Sequence, residues 1–167
     1  TKNIPKGQRP NMYDNSIRIP CVVRWPGVVK PGTVVQQTVS QLDFFPTVLA
    51  MTGVAQPKGL AIHGRDIVPA LKGQSADWSD DFYAEYSTHH QSKTQMRMYR
   101  TPKWKLIRDF LNEGRDELYH LETDPAEATN MIASTDPAVQ RIRQDLNEKL
   151  TARMRALKDP VLNPPQP

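Results

Sequence analysis

The segment from residue 82 to residue 121 contains four short runs of aromatic and apolar residues: Phe82-Tyr83-Ala84-Glu85-Tyr86, Met96-Arg97-Met98-Tyr99-Arg100, Trp104-Lys105-Leu106-Ile107-Arg108 and Glu117-Leu118-Tyr119-His120-Leu121. Turn-forming residues separate the runs, and the links between them are short. Consecutive strands with short links pair antiparallel, because parallel neighbours need a long crossover connection. These runs therefore predict a four-stranded antiparallel sheet.

A long amphipathic helix is predicted after the sheet. Asp136-Pro137 combines a capping residue with a proline that suits the first helical position. Apolar residues then recur at steps of three and four: Val139, Ile142, Leu146, Leu150, Met154 and Leu157. We expect this apolar stripe to pack on the sheet.

The first half of the chain has the pattern of an α/β domain. Residues 19–23 are nearly all apolar and rich in β-branched side chains, as expected for a buried strand. Pro20 argues against a central strand along the whole run. Val34, Val35 and Val39 predict a second, short strand.

Two helices are predicted in the sequence that follows these two strands and precedes the four-stranded sheet. Asp43 can cap a helix from Phe44 to Thr52, which Gly53 would end. The residues expected on its buried face are Phe45, Val48, Leu49 and Met51. A second, short helix is predicted around residues 67–71.

Length and charge limit the class of protein. The 167 residues suffice for a domain with a real core. The net charge is +4 and the pI is near 9.3, but acidic residues are interleaved with the basic ones. Nucleic-acid binding needs a clustered basic footprint, so no nucleic-acid partner is expected.

The single cysteine, Cys21, lies in the apolar run at residues 19–23, and we expect a buried, unreactive thiol. No stretch approaches the roughly 20 apolar residues that span a bilayer, so no transmembrane segment is expected. The first residues are polar and resemble the middle of a loop. We therefore expect upstream sequence, and with it any signal peptide, to be missing.

Short catalytic motifs give little information. The sequence has no phosphate-binding glycine loop, serine-hydrolase elbow or paired-cysteine motif. His89-His90, between the first two predicted strands, is the densest imidazole cluster. Adjacent side chains on an extended chain point to opposite sides, so the pair is poorly suited to bind one metal. No metal ligands are predicted in this chain.

Two longer blocks near the start of the chain carry a family resemblance. The first is Met12-Tyr13-Asp14-Asn15-Ser16-Ile17-Arg18-Ile19-Pro20, which leads to Arg24-Trp25-Pro26-Gly27. The second is Val39-Ser40-Gln41-Leu42-Asp43-Phe44-Phe45-Pro46-Thr47-Val48-Leu49. They resemble two segments of type I sulfatases: Met-Tyr-acidic-x-Ser-x-Arg-Val/Ile-Pro with its Arg-Trp-Pro-Gly turn, and Val-Ser-x-x-Asp-x-x-Pro-Thr-Leu/Val-Leu.

Two further blocks follow in the family's order. One is His63-Gly64-Arg65-Asp66-Ile67-Val68-Pro69-Ala70-Leu71-Lys72-Gly73, in which Asp66 stands at the family's serine position. The other joins Arg100-Thr101-Pro102-Lys103-Trp104-Lys105-Leu106-Ile107 to Glu117-Leu118-Tyr119-His120-Leu121-Glu122-Thr123-Asp124-Pro125-Ala126-Glu127, in which His120 replaces the usual Asp. Together the four blocks are similar to the C-terminal part of a type I sulfatase.

The resemblance implies an alkaline-phosphatase-like α/β fold. In that fold a large α/β domain is followed by a small antiparallel sheet with a long C-terminal helix. Residues 1–79 would be the end of the main α/β domain. Residues 80–167 would be the C-terminal antiparallel-sheet subdomain with its terminal helix.

The resemblance also implies the reaction. Type I sulfatases hydrolyse a sulfate ester, here expected on a carbohydrate such as a sulfated glycan, with a formylglycine and a divalent cation, usually calcium. Formylglycine is made within a Cys/Ser-x-Pro-Ser-Arg sequence, which this chain lacks and which Cys21 does not match. Both groups are expected from the missing N-terminal part, so this chain alone would be inactive. Family resemblance suggests a periplasmic or secreted protein.

A few residues of this chain are candidates for substrate contacts. By resemblance, Lys2 matches a family lysine that binds the sulfate, with Lys6 as a competing match. His89 and His90, and with them Gln91, are candidates for sugar contacts, because imidazole and amide groups can hydrogen-bond hydroxyl and sulfate oxygens. Trp78 and Trp104 could stack on a sugar ring, although a place in the subdomain core is favoured.

Two other functions stay open. A phosphate- or phosphonate-ester hydrolase of the same superfamily would share this architecture. A detached, non-catalytic sugar-binding module is the other alternative. The upstream nucleophile sequence would separate a sulfatase from most phosphate-ester hydrolases.

Overall fold

A computed structural model describes residues 10–74, 79–89 and 92–163. The elements, in chain order, are α1 (Asp14–Ile17), a 3-10 turn (Gln41–Asp43), α2 (Phe44–Thr52), α3 (Val68–Leu71), β1 (Phe82–Thr88), β2 (Thr94–Arg100), β3 (Trp104–Asp109), β4 (Glu117–His120), α4 (Pro137–Ala156) and a second 3-10 turn (Pro160–Leu162). The predicted strands between residues 82 and 121 and the predicted helices at residues 44–52, 67–71 and 137–157 are confirmed.

The four strands form one antiparallel sheet in the order β1-β2-β3-β4. Residues directly opposite each other share a face, so Lys105 and Tyr119 lie on one face and Leu106 and Leu118 on the other. Both faces are covered: Met12 packs on the first face and helix α4 on the second. Because both faces of the sheet are covered, three consecutive residues of β3 are buried, Lys105, Leu106 and Ile107, although their side chains alternate between the faces.

Helix α4 follows its predicted pattern. The Asp136 side chain accepts a hydrogen bond from the Ala138 amide at 2.7 Å, and Pro137 takes the first helical position. The buried residues of the helix are Val139, Leu146, Leu150 and Met154. None of the helices in the described residues combines the length and apolar content that crossing a bilayer requires.

The chain divides into two compact units. One consists of residues 20–80, and the other joins the described residues up to 19 with those from 81 onward. Residues 10–19 therefore pack with the sheet unit, although they precede the other unit in sequence. The predicted sulfatase domains, residues 1–79 and 80–167, concern the whole protein and stay a prediction.

The strands predicted in the first half of the chain are wrong. Residues 18–25 and 33–39 have no strand, the Cys21 thiol is exposed rather than buried, and Val22 is 93% exposed. A strand needs a hydrogen-bonding neighbour, and in the described residues the strands belong to the β1–β4 sheet of the other unit. The apolar run at residues 19–23 is therefore mostly exposed to solvent.

Helix α2 has the predicted bounds but a different buried face. Gly53 ends it with a φ of 69°, a left-handed conformation that glycine adopts without strain. Pro46 and Thr47 are buried, whereas Phe45 and Val48 are exposed. The Thr47 hydroxyl accepts a hydrogen bond from the Ile67 amide at 3.1 Å, so this helix packs through a polar contact.

The Asp43 side chain does not cap α2. It accepts hydrogen bonds from the Ser40 amide and the Arg65 amide, both at 2.7 Å. Gly64 permits this approach, because a Cβ there would lie 1.9 Å from the Leu42 carbonyl oxygen. The second and third sequence blocks therefore meet at Asp43.

Candidate functional site

Most of the predicted substrate contacts lie outside the described residues. These are Lys2 and His90, together with Lys6, Gln91 and Trp78. His89 is described, and it is exposed directly after the last residue of β1. Its role in sugar binding stays a prediction.

In residues 10–74, 79–89 and 92–163, no group of three or more His, Cys, Asp or Glu side chains is placed to hold a metal ion. The described residues therefore offer no ligand set that fits the divalent cation implied by the family resemblance. We assign none of these residues to it.

A buried charge network lies on the Met12 face of the sheet. It consists of Lys105, Asp14, Glu127 and Arg100, and is called the Lys105 network below. The Lys105 ammonium is completely buried and donates hydrogen bonds to Asp14 Oδ1 and, at 2.6 Å, to Glu127 Oε1. Arg100 Nη2 lies 3.2 Å from Asp14 Oδ2. Two cations thus meet two anions, and the network is neutral.

The Lys105 network also binds the backbone of the N-terminal segment. Lys105 Nζ donates to the Met12 carbonyl oxygen at 3.2 Å, and the Asp14 amide donates to Glu127 Oε2 at 2.5 Å. Arg115 Nη2 adds a hydrogen bond to the Pro10 carbonyl oxygen at 3.3 Å. Residues 10–14 are therefore held to the sheet unit at three backbone positions.

The network changes the acidity of Asp14. Burial alone would raise the pKa of this carboxyl, but the hydrogen bond and charge of Lys105, with a smaller contribution from Arg100, outweigh burial and lower the pKa below 3.8. Asp14 therefore contributes stability that is fully present above about pH 4 and is lost as the pH falls through its lowered pKa.

A second buried ion pair lies on the α4 face of the sheet. Arg97 Nε and Nη2 donate to the two oxygens of Asp159 at 2.5 and 2.9 Å. The Tyr83 hydroxyl donates to Asp159 Oδ2 at 3.1 Å, and the Val161 amide donates to Oδ1 at 3.0 Å. This pair fixes the chain that follows α4 to strands β1 and β2.

Two tyrosines share one carboxylate near Met12. The Tyr119 hydroxyl donates to Glu117 Oε2 at 2.9 Å, and the Tyr13 hydroxyl lies 3.5 Å from Glu117 Oε1. The rings of Tyr13 and Tyr119 meet edge to face with centroids 6.0 Å apart. Burial raises the pKa of Glu117, although both tyrosine hydrogen bonds and Arg115 oppose the rise.

We expect Glu117→Gln to stabilise the protein modestly at neutral pH. A carboxyl whose folded pKa is raised disfavours folding when it is ionised, and the penalty disappears once the pH falls below its unfolded pKa, near 4.5. Glutamine removes the charge and keeps one oxygen acceptor, which can serve the Tyr119 hydroxyl. Melting temperatures measured from pH 4 to pH 8 should show a gain that grows with pH. An equal change at every pH would contradict this explanation.

Trp104 lies in the core of the sheet unit rather than on an open surface. It is half-buried against the Leu106 and Leu118 cluster, and its ring lies over the His120 ring with centroids 4.3 Å apart. His120, which replaces the family's Asp, therefore contributes a ring contact. This packing agrees with the favoured core role of Trp104.

Sequence reasoning missed both buried charge clusters. A signal was present for the Lys105 network, because Lys105, Asp14 and Glu127 occupy charged positions of the family blocks. A sequence pattern does not say which charged side chains meet. The clusters have a structural role, since their charges are neutralised within the fold.

The comparisons with known proteins agree with this architecture. Residues 8–156 match the family described as N-sulphoglucosamine sulphohydrolase, C-terminal. The steryl-sulfatase of Rattus norvegicus is 34% identical over 106 residues, which is 63% of this chain and 18% of the relative. The N-acetylglucosamine-6-O-sulfatase of Bacteroides thetaiotaomicron is 28% identical over 153 residues, which is 89% of this chain and 27% of the relative.

Solved structures show the same fold. A protein in complex with its substrate, D-glucosamine-2-N,6-O-disulfate, matches with a TM-score of 0.69 and 26% identity, over 85% of this chain and 28% of that chain. A putative sulfatase from Bacteroides thetaiotaomicron matches with a TM-score of 0.62 and 27% identity, over 71% of this chain and 25% of that chain. This chain thus spans between 18% and 28% of the length of these proteins.

The family match covers most of the chain, and these relatives and structures agree with it. The small antiparallel sheet with its C-terminal helix is the architecture implied by the four sequence blocks. The chain therefore belongs to the sulfatase family, of alkaline-phosphatase-like fold, and represents its C-terminal region.

Proposed function

We propose that the protein carrying this chain is a sulfatase that hydrolyses a sulfate ester of a carbohydrate. The observation that carries this proposal is the match of residues 8–156 to the C-terminal region of N-sulphoglucosamine sulphohydrolases. Two other similar proteins have names that concern sulfated glucosamines, and each covers more than four fifths of this chain.

The reaction requires groups that we place upstream. Sulfate-ester hydrolysis needs a strong nucleophile, stabilisation of charge on the sulfuryl oxygens and protonation of the leaving alcohol. We propose that a formylglycine and a divalent cation, with calcium as the expected ion, are held by the N-terminal part of the same protein. Family resemblance also supports a periplasmic or secreted location.

Exposed apolar side chains on the unit formed by residues 20–80 support a contact with the N-terminal part of the protein. Large apolar side chains are exposed along it: Val22, Val34, Leu42, Phe44, Phe45, Val48, Val54 and Leu60. Large exposed apolar patches mark interaction surfaces, and we propose that these side chains contribute to one. We propose that this surface packs against the N-terminal part of the protein, which would also supply neighbours for the apolar run at residues 19–23.

Lys2 is the proposed sulfate-binding cation of this chain. This assignment follows from the resemblance of the first residues of the chain to the family segment that carries a sulfate-binding lysine. A free ammonium would act as a point charge on the sulfate oxygens that gain charge in the transition state. His89 and His90 are the proposed sugar contacts.

The proposal is tested by assaying the full-length protein. We expect it to release sulfate from N-acetylglucosamine 6-sulfate or N-sulfoglucosamine faster than it releases phosphate from the matching phosphate esters. Lys2→Ala should lower kcat/KM by about 100-fold, the typical cost of one group that stabilises transition-state charge. Lys103→Ala, which removes an exposed lysine, is the matched control and should keep wild-type activity.

Other outcomes would contradict the proposal. Faster cleavage of phosphate or phosphonate esters would favour the alternative hydrolase. Glycan binding without turnover would favour a non-catalytic module. An effect of His89→Ala that is equal for a sugar sulfate and for a simple aryl sulfate would remove His89 as a sugar contact.

A further inference from the structure

Two cavities lie side by side along the first half of helix α4. The larger has a volume of about 660 Å³ and is lined by Pro137, Gln140, Arg141, Arg143 and Gln144. The smaller, of about 270 Å³, lies between α4 and strand β3, and its lining includes Arg108, Asp116, Ile132, Arg143 and Asn147. Because Arg143 and Gln144 line both cavities, the two form one groove, called the α4 groove below. Its size is in the range of small-molecule binding sites.

The α4 groove has an excess of positive charge. Its lining contains one carboxylate, Asp116, and three guanidinium groups, those of Arg108, Arg141 and Arg143. The Asp116 carboxylate is already paired with Arg108. Arg141 and Arg143 donate to backbone carbonyl oxygens, and among the described residues neither has a carboxylate within ion-pair distance. Two positive charges are thus left for an anion that enters the groove.

Two of the three guanidinium groups are held in place by the fold. Arg143 is half-buried, and its Nη1 donates a hydrogen bond to the Ile132 carbonyl oxygen at 2.9 Å. Arg108 is held by two side chains, since its Nε pairs with Asp116 and its Nη1 donates to Asn147 Oδ1. A guanidinium has five donors in a planar fork, so both groups keep donors for a further acceptor. Donors that are already ordered lose little conformational entropy when they bind an oxyanion.

The neutral side chains of the α4 groove suit a sugar. The amide groups of Gln140 and Gln144 can hydrogen-bond hydroxyl groups. Gln144 Nε2 donates to Glu148 Oε1 at 2.9 Å, which leaves the Gln144 carbonyl oxygen as an acceptor. A nucleic acid fits the groove less well, because its affinity depends on a long row of phosphate contacts. Charge and hydrogen-bonding groups together therefore favour a sulfated carbohydrate.

We propose that the α4 groove binds a sulfated glycan, and that Arg141 and Arg143 hold a sulfate group of it that is not hydrolysed. The choice of a sulfated glycan as the ligand rests on the proposed function. The lining contains no serine, threonine or cysteine, and the described residues hold no cluster of metal ligands, so the groove binds the sulfate without reacting with it. A glycan that is held at two of its sulfate groups binds more tightly than one held at a single group. The groove therefore selects glycans that carry several sulfates.

The test measures binding of a heparin-type hexasaccharide, which carries N- and 6-O-sulfated glucosamine, to the full-length protein. Arg141→Gln and Arg143→Gln should each raise the Kd about 10-fold, because each removes charged hydrogen bonds to the sulfate. Arg143→Lys keeps the charge but loses the planar fork, and its Kd should lie between those of Arg143→Gln and the wild type. The chemically desulfated hexasaccharide is the control ligand and should bind at least 10-fold more weakly to the wild type.

The matched control variant is Arg155→Gln. It makes the same change of charge at an exposed position of the same helix, about 20 Å along the helix axis from Arg141, and should leave the Kd unchanged. Arg141 is exposed as well, so Arg141→Gln decides the question if Arg143→Gln, which loses the contact with Ile132, does not fold.

Two further measurements locate the binding site. The hexasaccharide should protect Arg141 and Arg143, but not Arg155, from modification by phenylglyoxal, which peptide mass spectrometry measures residue by residue. In sulfate release from the hexasaccharide, Arg141→Gln should raise KM more than it lowers kcat, because the groove contributes binding that is equal in the ground state and the transition state.

Four results would overturn the inference: wild-type affinity in Arg141→Gln, an equal loss of affinity in Arg155→Gln, equally tight binding of the desulfated hexasaccharide, or no protection of Arg141 and Arg143. Equal affinity for duplex DNA, with the same dependence on Arg141, would reject the glycan as the ligand. Failure of the proposed function is a separate result, in which the wild-type protein releases no sulfate. Such a protein would still support the groove if its binding of the hexasaccharide depended on Arg141 and not on Arg155.

Discussion

Replacing Lys105 with methionine should destabilise the sheet unit by about 3–5 kcal/mol, the usual cost of removing one partner from a buried ion pair. Methionine has nearly the same length and fills the space of the lysine stem. It leaves the Asp14 and Glu127 carboxylates facing each other without the ammonium that neutralises both. The Met12 carbonyl oxygen also loses its donor.

The measurement is native-state hydrogen exchange of the amides of β2 and β3 in the full-length protein, which gives the free energy of opening of this unit. Lys103→Met is the matched control, because Lys103 is 65% exposed and its pairing with Glu122 is worth at most about 1 kcal/mol. A second comparison lowers the pH toward 4. The deficit of Lys105→Met should shrink there, because the Asp14 carboxyl, which has lost the ammonium that lowers its pKa, then takes up a proton more readily. A loss below about 1 kcal/mol would show that the network is dispensable for stability.

Arg97 lies on the other, α4-covered face of the sheet. Replacing it with methionine should lower the free energy of unfolding by about the same amount, 3–5 kcal/mol. Arg97 is buried, and both of its hydrogen bonds to Asp159 are lost together. The hydrogen bond from Arg97, which is the largest influence on Asp159, holds the pKa of that carboxyl below its usual value, against the effect of burial. Without Arg97 the carboxylate is buried beside the Tyr83 hydroxyl with no neutralising charge.

A double variant separates charge from packing. Arg97→Met with Asp159→Asn removes the unpaired charge and should be more stable than Arg97→Met alone, while Asn keeps an oxygen for the Val161 amide. Exposed Arg155→Met, on α4, should change the stability by less than about 0.5 kcal/mol. The interpretation fails if the double variant is less stable than the single variant at neutral pH.

The second half of the fold was predictable, because its strands and helix are determined by residue patterns within short stretches of sequence. Runs of aromatic and apolar residues with short links determine an antiparallel sheet, and the Asp136-Pro137 start with its three- and four-residue apolar steps determines α4. Each of these elements finds its partners within the same unit. Local pattern and tertiary packing therefore agree.

The structure of the first half of the chain was predicted less well, because it depends on contacts with residues that are not close in sequence. The run at residues 19–23 has the composition of a buried strand, yet a strand forms only beside another strand. Helix α2 was correctly bounded by Asp43 and Gly53, but its buried side was set by the Thr47 contact with the segment at residues 65–67. Apolar periodicity could not identify a polar packing face.

The sequence by itself determined the family, the four strands of the sheet, helices α2, α3 and α4, and the bounds of α2 and α4, because these depend on residue order and on hydrogen bonds between near neighbours; helix α1 was not predicted. Only the tertiary structure decided that residues 10–19 pack with the sheet unit, and that Lys105 lies between Asp14 and Glu127. The physical reason is that a buried charge is stabilised by whichever opposite charges the fold brings to it, and those charges lie about 20 and 90 positions away in sequence.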